Sequence, residues 1–295
     1  MTLPELANTY LDLQAEITAA VLDAVNGIWE SIDPGNAQES WVDQRTGERL
    51  FVEISVGQSS LAQHSQDYIA AALREQNATS DPAGALNPLS FAGIASDGRD
   101  LDSLMLGPLI DLEEQLARGI EPEVAKKSAG SNLDTLTRTQ VVDAGRAATA
   151  TAIAAEKSVK FWVRVLTPPS CGRCAILAGK TYDWQNAFFR HPRCDCVVMG
   201  GSEALALSQV RTDPVAYFES LSEADQNKYF GKGRAEAIRL GADMNTVVNA
   251  RAAKSGLSAP GLSKSGRLMP AAIIEAGGGD REATVKLLRK NGYLR

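Results

Sequence analysis

Histidine and cysteine are scarce in this chain, whose 295 residues include two histidines and four cysteines. The sequence also lacks the run of roughly 18 apolar residues that a membrane-spanning helix needs. Its N-terminus has neither a basic start nor a continuous apolar block, which argues against a secretory signal. We therefore expect folding in a reducing cytoplasm and no membrane association. In that setting, clustered cysteines are more often metal ligands or catalytic groups than disulfides.

The charge of the chain is low overall but unevenly distributed. A formal net charge of −6 argues against a protein dedicated to nucleic acid binding. Residues 1–120 carry 5 basic and 19 acidic side chains, whereas residues 121–200 carry 11 and 7, and residues 201–295 carry 14 and 10. An acidic first part and a mildly basic remainder indicate either two surfaces with different partners or ordinary solvated faces.

The spacing of hydrophobic residues predicts a mainly α-helical fold with a helical N-terminal half. We expect one amphipathic helix over residues 1–35, a second over 50–76 and a third over 101–118, and strong helical character from Asn132 onward. Residues 78–100 are rich in Gly, Pro, Ser, Asn and Asp. This composition predicts a long loop, which is the best candidate for a boundary or a mobile arm.

The pattern changes at Lys160, where aromatic and β-branched residues predict a strand in "FWVRVLTPP" (161–169). A second strand is expected in "KTYDW" (180–184), and "RCDCVV" (193–198) is compatible with a third. We therefore expect a small α+β module, a zinc knuckle with a β-hairpin, at residues 160–200. The predicted regions are a helical, acidic region over 1–120, a domain over 121–256 that contains the module, and a linker with a short helical tail over 257–295.

All four cysteines and one of the two histidines fall within residues 171–196. A C-x2-C pair on a tight turn comes first, and an H-x2-C-x-C group follows after sixteen intervening residues. Thiolate and imidazole favour a soft dication in tetrahedral geometry, and zinc is the default metal for a mixed Cys/His set. The five candidate ligands are Cys171, Cys174, His191, Cys194 and Cys196.

Tetrahedral zinc requires only four of these five residues. The favoured set is Cys171, Cys174 and His191 with either Cys194 or Cys196. The last two cannot be separated, because alternate residues of an extended strand share a face and both can approach one ion. One structural zinc ion per chain would stabilise a module whose core is too small to fold by itself.

Other uses of the same residues stay open. A redox-active C-x2-C pair usually begins a helix after a strand, without a later His and Cys pair. A catalytic zinc needs an open coordination position and a nearby general base, for which Asp183 and Asp195 are the only local carboxylates. A Cys-His nucleophilic pair and four unrelated thiols are the remaining alternatives.

The segment over residues 221–256 predicts two short helices and carries basic side chains. It begins with a capping signal, in which Ser222 precedes Asp225 by three positions. Its basic residues form either a solvated helix face or a contact with an acidic partner or with DNA phosphates. These residues are Lys228, Lys232, Arg234 and Arg239. A final helix is expected over residues 280–291.

The order of motifs around the cysteines resembles the C-terminal module of MuF-like phage minor head proteins. That family typically shows a cysteine pair, a Gly-Lys followed by an aromatic residue, and a closing H-P-x-C-x-C. Here the matching segments are the C-x2-C pair, "LAGKTYDW" (177–184) and "HPRCDC" (191–196). The predicted strand just ahead of the cysteine pair, "FWVRVLTPPS" (161–170), and the segment 223–251 also look like this family. The resemblance therefore covers about residues 130–255.

This resemblance implies a non-enzymatic virion component that is made in the host cytoplasm and incorporated during head assembly. Its expected partners are the portal protein, the major capsid protein or both, at the portal vertex or in the capsid interior. Contact with packaged DNA through the basic C-terminal half belongs to the same expectation. A zinc-dependent hydrolase or nuclease of the virion is the first alternative function, and a DNA-binding zinc module is the second.

Overall fold

A computed structural model describes residues 1–186, 188, 194–250, 273, 276–278 and 280–291. This part of the chain is mainly helical, with one small sheet, which confirms the predicted fold class. The helices are α1 (Leu3–Glu30), α2 (Ala37–Asp43), α3 (Thr46–Ala62), α4 (Ser65–Glu75), α5 (Asp102–Met105), α6 (Gly107–Ala117), α7 (Pro122–Ala155), α8 (Gly172–Ala178), α9 (Pro214–Ser220), α10 (Glu223–Phe230), α11 (Lys232–Arg239), α12 (Met244–Asn249) and α13 (Arg281–Lys290). The strands are β1 (Phe161–Val165), β2 (Thr181–Asp183) and β3 (Val197–Gly201).

The chain divides into two compact units. The first unit comprises Met1–Val163 and Thr181–Val210, and the second comprises Arg164–Lys180 and Arg211–Arg295. Within the first unit, α7 packs against α1, α3, α4 and α6. No helix in the described ranges combines the length and the hydropathy needed to cross a membrane.

The first unit is built on the long helices α1 and α7. A capping box begins α1: Glu5 N donates to Thr2 Oγ1, and Thr2 N donates to Glu5 Oε2. Glycines allow the helices of this unit to approach one another closely. A Cβ at Gly57 would lie 2.5 Å from Val21 Cγ2, and one at Gly145 would overlap the Leu61 side chain.

The helix expected over residues 50–76 is two helices, α3 and α4, which are separated at Gln63 and His64. The break precedes Ser65, which is fully buried. The Ser65 hydroxyl lies 3.1 Å from Tyr10 Oη and donates to the Gly145 carbonyl oxygen at 3.3 Å. Ser65 therefore bonds to α1 and α7 at the point where α4 begins. The spacing of apolar residues within 50–76 does not predict this break.

The long loop predicted over residues 78–100 lies inside the first unit. At its start, the Glu156 carboxylate accepts hydrogen bonds from Ser80 Oγ at 2.6 Å and from Asp81 N at 2.7 Å. Near its end, Ser96 N donates to Gln140 Oε1 at 2.7 Å. Buried polar side chains of α7 and of its C-cap residue, Glu156, therefore hold the loop against its own unit.

The three strands form one small sheet in the order β2-β1-β3. Strands β1 and β2 are antiparallel, with Trp162 opposite Tyr182. Their rings stack with centroids 4.2 Å apart. The strands expected at 161–169 and 180–184 are confirmed, although β1 ends at Val165 and β2 at Asp183.

In the second unit, the described helices are short and many have side-chain caps. Ser222 accepts a hydrogen bond from Asp225 N at 3.1 Å, which confirms the predicted start of α10. Residues 221–250 form three short helices, where two were expected over 221–256. The final helix is confirmed as α13, with Asp280 as its N-cap. A small apolar cluster comprises Ala237, Ala242, Val247, Ala250 and Ile273.

Candidate metal centre

The C-x2-C pair lies at the start of α8, where a tight turn was expected. Cys171 is the N-cap residue of α8, with extended backbone angles, and Cys174 is buried in the first turn. Gly172 has a packing role, because a Cβ at this position would lie 2.6 Å from Cδ1 of Phe230. The aromatic ring of Phe230 therefore requires glycine between the two cysteines.

Cys194 and Cys196 lie in irregular chain just before β3, and both are buried. Side chains that are distant in sequence form hydrogen bonds with the main chain of Asp195 and Cys196. Gln14 Nε2 donates to the Asp195 carbonyl oxygen at 2.7 Å, and Arg146 Nε donates to the Cys196 carbonyl oxygen at 2.9 Å. These bonds from α1 and α7 supply partners that a strand would otherwise provide.

The sulfur atoms of Cys174, Cys194 and Cys196 all lie within 4.8 Å of one another. Zinc–sulfur bonds of about 2.3 Å in a tetrahedron place the sulfurs roughly 3.8 Å apart, so a small adjustment of side chains would suit a metal ion. Cys171 is not part of this group. His191, the remaining predicted ligand, lies outside the described residues.

A buried arginine accompanies the thiol group. Arg164 on β1 is 1% exposed, and its Nη1 donates toward Cys174 Sγ at 3.6 Å. A cation beside sulfur stabilises the thiolate, which is the form that binds metal ions. The one sequence signal for this contact is a charged residue in the middle of an otherwise apolar strand.

Arg146 is itself fixed by several contacts. Its Nη1 donates to the Asp143 carboxylate one turn earlier on α7, and both side chains are buried. The guanidinium carbon lies 5.5 Å from the centroid of the Phe188 ring. These contacts orient Arg146 toward the Cys196 carbonyl. Neither Arg146 nor Gln14 stands near the cysteines in sequence, so motif spacing could not indicate them.

The two local carboxylates do not join the thiol group. Asp195 lies 3.9 Å from Arg138 Nη1 on α7, with both side chains partly exposed. Asp183 lies at the exposed end of β2. Within the described chain, the group that could hold a metal therefore contains sulfur ligands and no carboxylate general base.

Three of the four basic residues considered in the segment 221–256 make contacts within their own unit. Arg239 donates to Gln226 Oε1 at 2.8 Å and to Asn227 Oδ1 at 3.3 Å. Arg234 Nη2 donates to the Ala250 carbonyl oxygen at 3.2 Å. Lys228 lies over the Tyr229 ring. The contacts of Arg234 and Arg239 join short helices to one another and favour a structural role for these two arginines.

No family model, curated protein or solved structure matches the chain. The likeness to MuF-like proteins therefore rests on the motifs around the cysteines. The order of these motifs and the buried sulfur group both indicate a metal centre at the cysteines.

Proposed function

We propose that this chain is a non-enzymatic structural protein that holds one zinc ion through the thiolates of Cys174, Cys194 and Cys196. The observation that carries this proposal is the buried group of three sulfur atoms within 4.8 Å of one another. Thiolates buried together repel each other, and a dication compensates both their charge and their loss of hydration. Thiolate sulfur selects soft or borderline metals, among which zinc is the usual structural ion.

Burial of the sulfur ligands supports a structural role for the ion. Cys174, Cys194 and Cys196 are 3%, 5% and 2% exposed, respectively. A catalytic zinc keeps one position open to water and substrate, whereas a structural zinc is enclosed by four protein ligands. Two residues are proposed for the fourth position: Cys171, three positions before Cys174, and His191.

Metal content tests the zinc centre directly. We expect protein purified under reducing, chelator-free conditions to contain one zinc ion per chain. Inductively coupled plasma mass spectrometry measures this metal content. Cys174→Ser, Cys194→Ser and Cys196→Ser should each lose the ion. Metal-free wild-type protein, or full zinc retention by any of these variants, would exclude the proposed ligand set.

The fourth ligand can be identified with two further variants and a control. Competition with a chromogenic zinc chelator would compare Cys171→Ser and His191→Ala with wild type. The residue that binds the metal should show the larger loss of affinity. His64→Ala removes the other histidine of the chain and should leave the affinity unchanged.

We further propose that the protein acts in phage head assembly as a minor head protein, through contacts with the portal or the major capsid protein. The family resemblance of residues 130–255 supports this role, and the acidic charge of residues 1–120 provides a surface that differs from the rest. The proposed location is the portal vertex or the capsid interior. The proposed role in head assembly and the proposed metal centre are supported by different observations, since the metal centre is argued from the buried sulfur group.

Head assembly can be tested by expressing the chain together with portal and major capsid proteins from the same genome. We expect the chain to copurify with assembled heads in few copies and to bind the portal or capsid protein. Absence from heads, together with no binding to either protein, would refute this role even if the zinc content were as expected.

A further inference from the structure

A groove on the first unit is lined mainly by apolar side chains and has a volume of about 630 Å³. We call it the α3 groove, since α3 forms one wall and α2, α5 and the residue before α6 form the remainder. Its apolar lining is Trp41, Val42, Phe51, Val52, Met105 and Leu106. These residues belong to the first unit and are distant in sequence from the cysteines.

Exposed aliphatic side chains lie in the α3 groove and one helical turn beyond it in sequence. Val52 and Leu106 line the groove and are 52% and 51% exposed, respectively. One turn farther along their helices, Val56 and Ile110 are also exposed. Single exposed apolar residues are ordinary, but a cluster that surrounds a groove is typical of an interaction site.

Two carboxylates and one arginine lie in the lining of the α3 groove. Glu48 and Asp102 lie in its lining, and the arginine beside them, Arg45, forms an ion pair with Glu48. Residues 37–62 and 102–117, which supply the surrounding helices, contain eight carboxylates and two arginines. A partner that covers this surface gains from positive charge around an apolar centre.

The shape and the charge together limit the kind of occupant. Helices form the walls, and apolar pairs spaced by four residues match side chains at i, i+3 and i+4 of a docked helix. The surplus of carboxylates in these helices disfavours DNA phosphates and anionic lipid headgroups as occupants. We propose that the α3 groove binds a basic amphipathic helix of another protein, with its apolar face in the groove and its Lys or Arg residues beside the carboxylates.

This proposal depends neither on the zinc centre nor on the role in head assembly. Its test is selection from a random library of displayed 16-residue peptides on immobilised wild-type protein. We expect enrichment of peptides that are rich in Lys and Arg and carry apolar residues at helical spacing. Their affinity, measured by fluorescence polarisation, should fall as salt concentration rises.

A matched pair of variants locates the binding surface. Val52→Asp places a charge in the α3 groove, and Val215→Asp makes the same change at an equally exposed valine of α9 in the second unit. We expect at least a tenfold loss of peptide affinity for Val52→Asp and none for Val215→Asp, with circular dichroism confirming that both variants fold.

Three outcomes would overturn the proposal. Failure to enrich any peptide would remove the binding activity, and enrichment of acidic or non-helical peptides would contradict its chemistry. Unchanged affinity of the Val52→Asp variant would place the binding elsewhere. Sedimentation of the protein alone provides a further check, since a dimer abolished by Val52→Asp would assign the groove to a second copy of the chain.

Discussion

The two units of this protein are stabilised in different ways. In the first unit, α1 and α7 have 28 and 34 residues and bury apolar faces against other helices. The described helices of the second unit have six to ten residues, and their shared apolar cluster is small. Short helices are marginal by themselves, so the second unit depends more on the ends of its helices.

Hydrogen bonds from side chains show the same contrast. In the first unit, buried side chains reach main-chain groups far away in sequence, as from Gln14 to Asp195 and from Gln58 to Ile94. In the second unit, the N-caps of four of its six described helices accept hydrogen bonds from amides two or three residues later. These N-caps are Asp213, Ser222, Asp243 and Asp280. Side-chain caps are therefore frequent in the second unit, beside longer-range hydrogen bonds such as that from Tyr217 Oη to the Ser170 carbonyl oxygen.

The largest effect is expected from a cavity in the first unit. Leu61 on α3 is fully buried and contacts α7 at Gly145. Leu61→Ala should lower the free energy of unfolding by about 2–5 kcal/mol, because it removes buried contacts and leaves a cavity. Urea unfolding followed by circular dichroism measures the loss. Val56→Ala, at an exposed position of the same helix, should change stability by less than about 0.5 kcal/mol. Equal losses would contradict packing as the source of stability.

A second prediction concerns the long-range hydrogen bonds. Arg146→Ala removes the donor to the Cys196 carbonyl and should weaken zinc binding about 10–100-fold, as losses of groups that orient metal ligands do. Chelator competition measures the affinity. Arg138→Ala removes a partly exposed ion pair with Asp195 and should have a smaller effect. If both variants bound zinc as tightly as wild type, Arg146 would have no part in positioning Cys196.

The third prediction tests the caps of the second unit. Asp213 accepts hydrogen bonds from the amides of Val215 and Ala216 at the start of α9. Asp213→Ala should destabilise this helix by about 1 kcal/mol. Hydrogen exchange should show faster exchange of α9 amides, while amides of α1 keep their protection. Glu219→Ala, an exposed change in the same helix, is the control. Uniform loss of protection across both units would show that the helix ends do not act locally.

The smallest expected effect on the free energy of unfolding at neutral pH involves two stacked tyrosines of the first unit. Tyr10 and Tyr68 have ring centroids 4.0 Å apart, and burial raises the pKa of each hydroxyl above its ordinary value of 10.0. The folded state therefore holds these protons more tightly than the unfolded state. Their contribution to stability is complete below pH 10 and is lost as the pH rises through the raised pKa values.

Urea unfolding between pH 8 and pH 11 measures this dependence. We expect a stability plateau that falls above about pH 10, as unfolding exposes phenols with ordinary pKa values. Tyr68→Phe should reduce the steepness of that fall. An unchanged slope in this variant would show that another group causes the alkaline loss.

Much of the fold is predictable because its signals are local. The apolar spacing of α1, the β-branched residues of β1 and the Ser222 cap each lie within one element, and each is confirmed. The break between α3 and α4 is different. It accompanies hydrogen bonds from Ser65 to Tyr10 and Gly145, which are 55 and 80 positions away. Periodicity within a window cannot contain such partners.

The candidate metal centre likewise has features that the sequence predicts and features that depend on distant residues. The sequence by itself determined that four cysteines and a histidine lie within one short segment, which is enough to predict a metal-binding module. Only the tertiary structure decided that Cys174, Cys194 and Cys196 form a buried group. The physical reason is that Gln14 and Arg146 hold the main chain of Asp195 and Cys196 from 181 and 50 positions away. The spacing of the cysteines is local, whereas the position of the main chain at Asp195 and Cys196 depends on side chains that are distant in sequence.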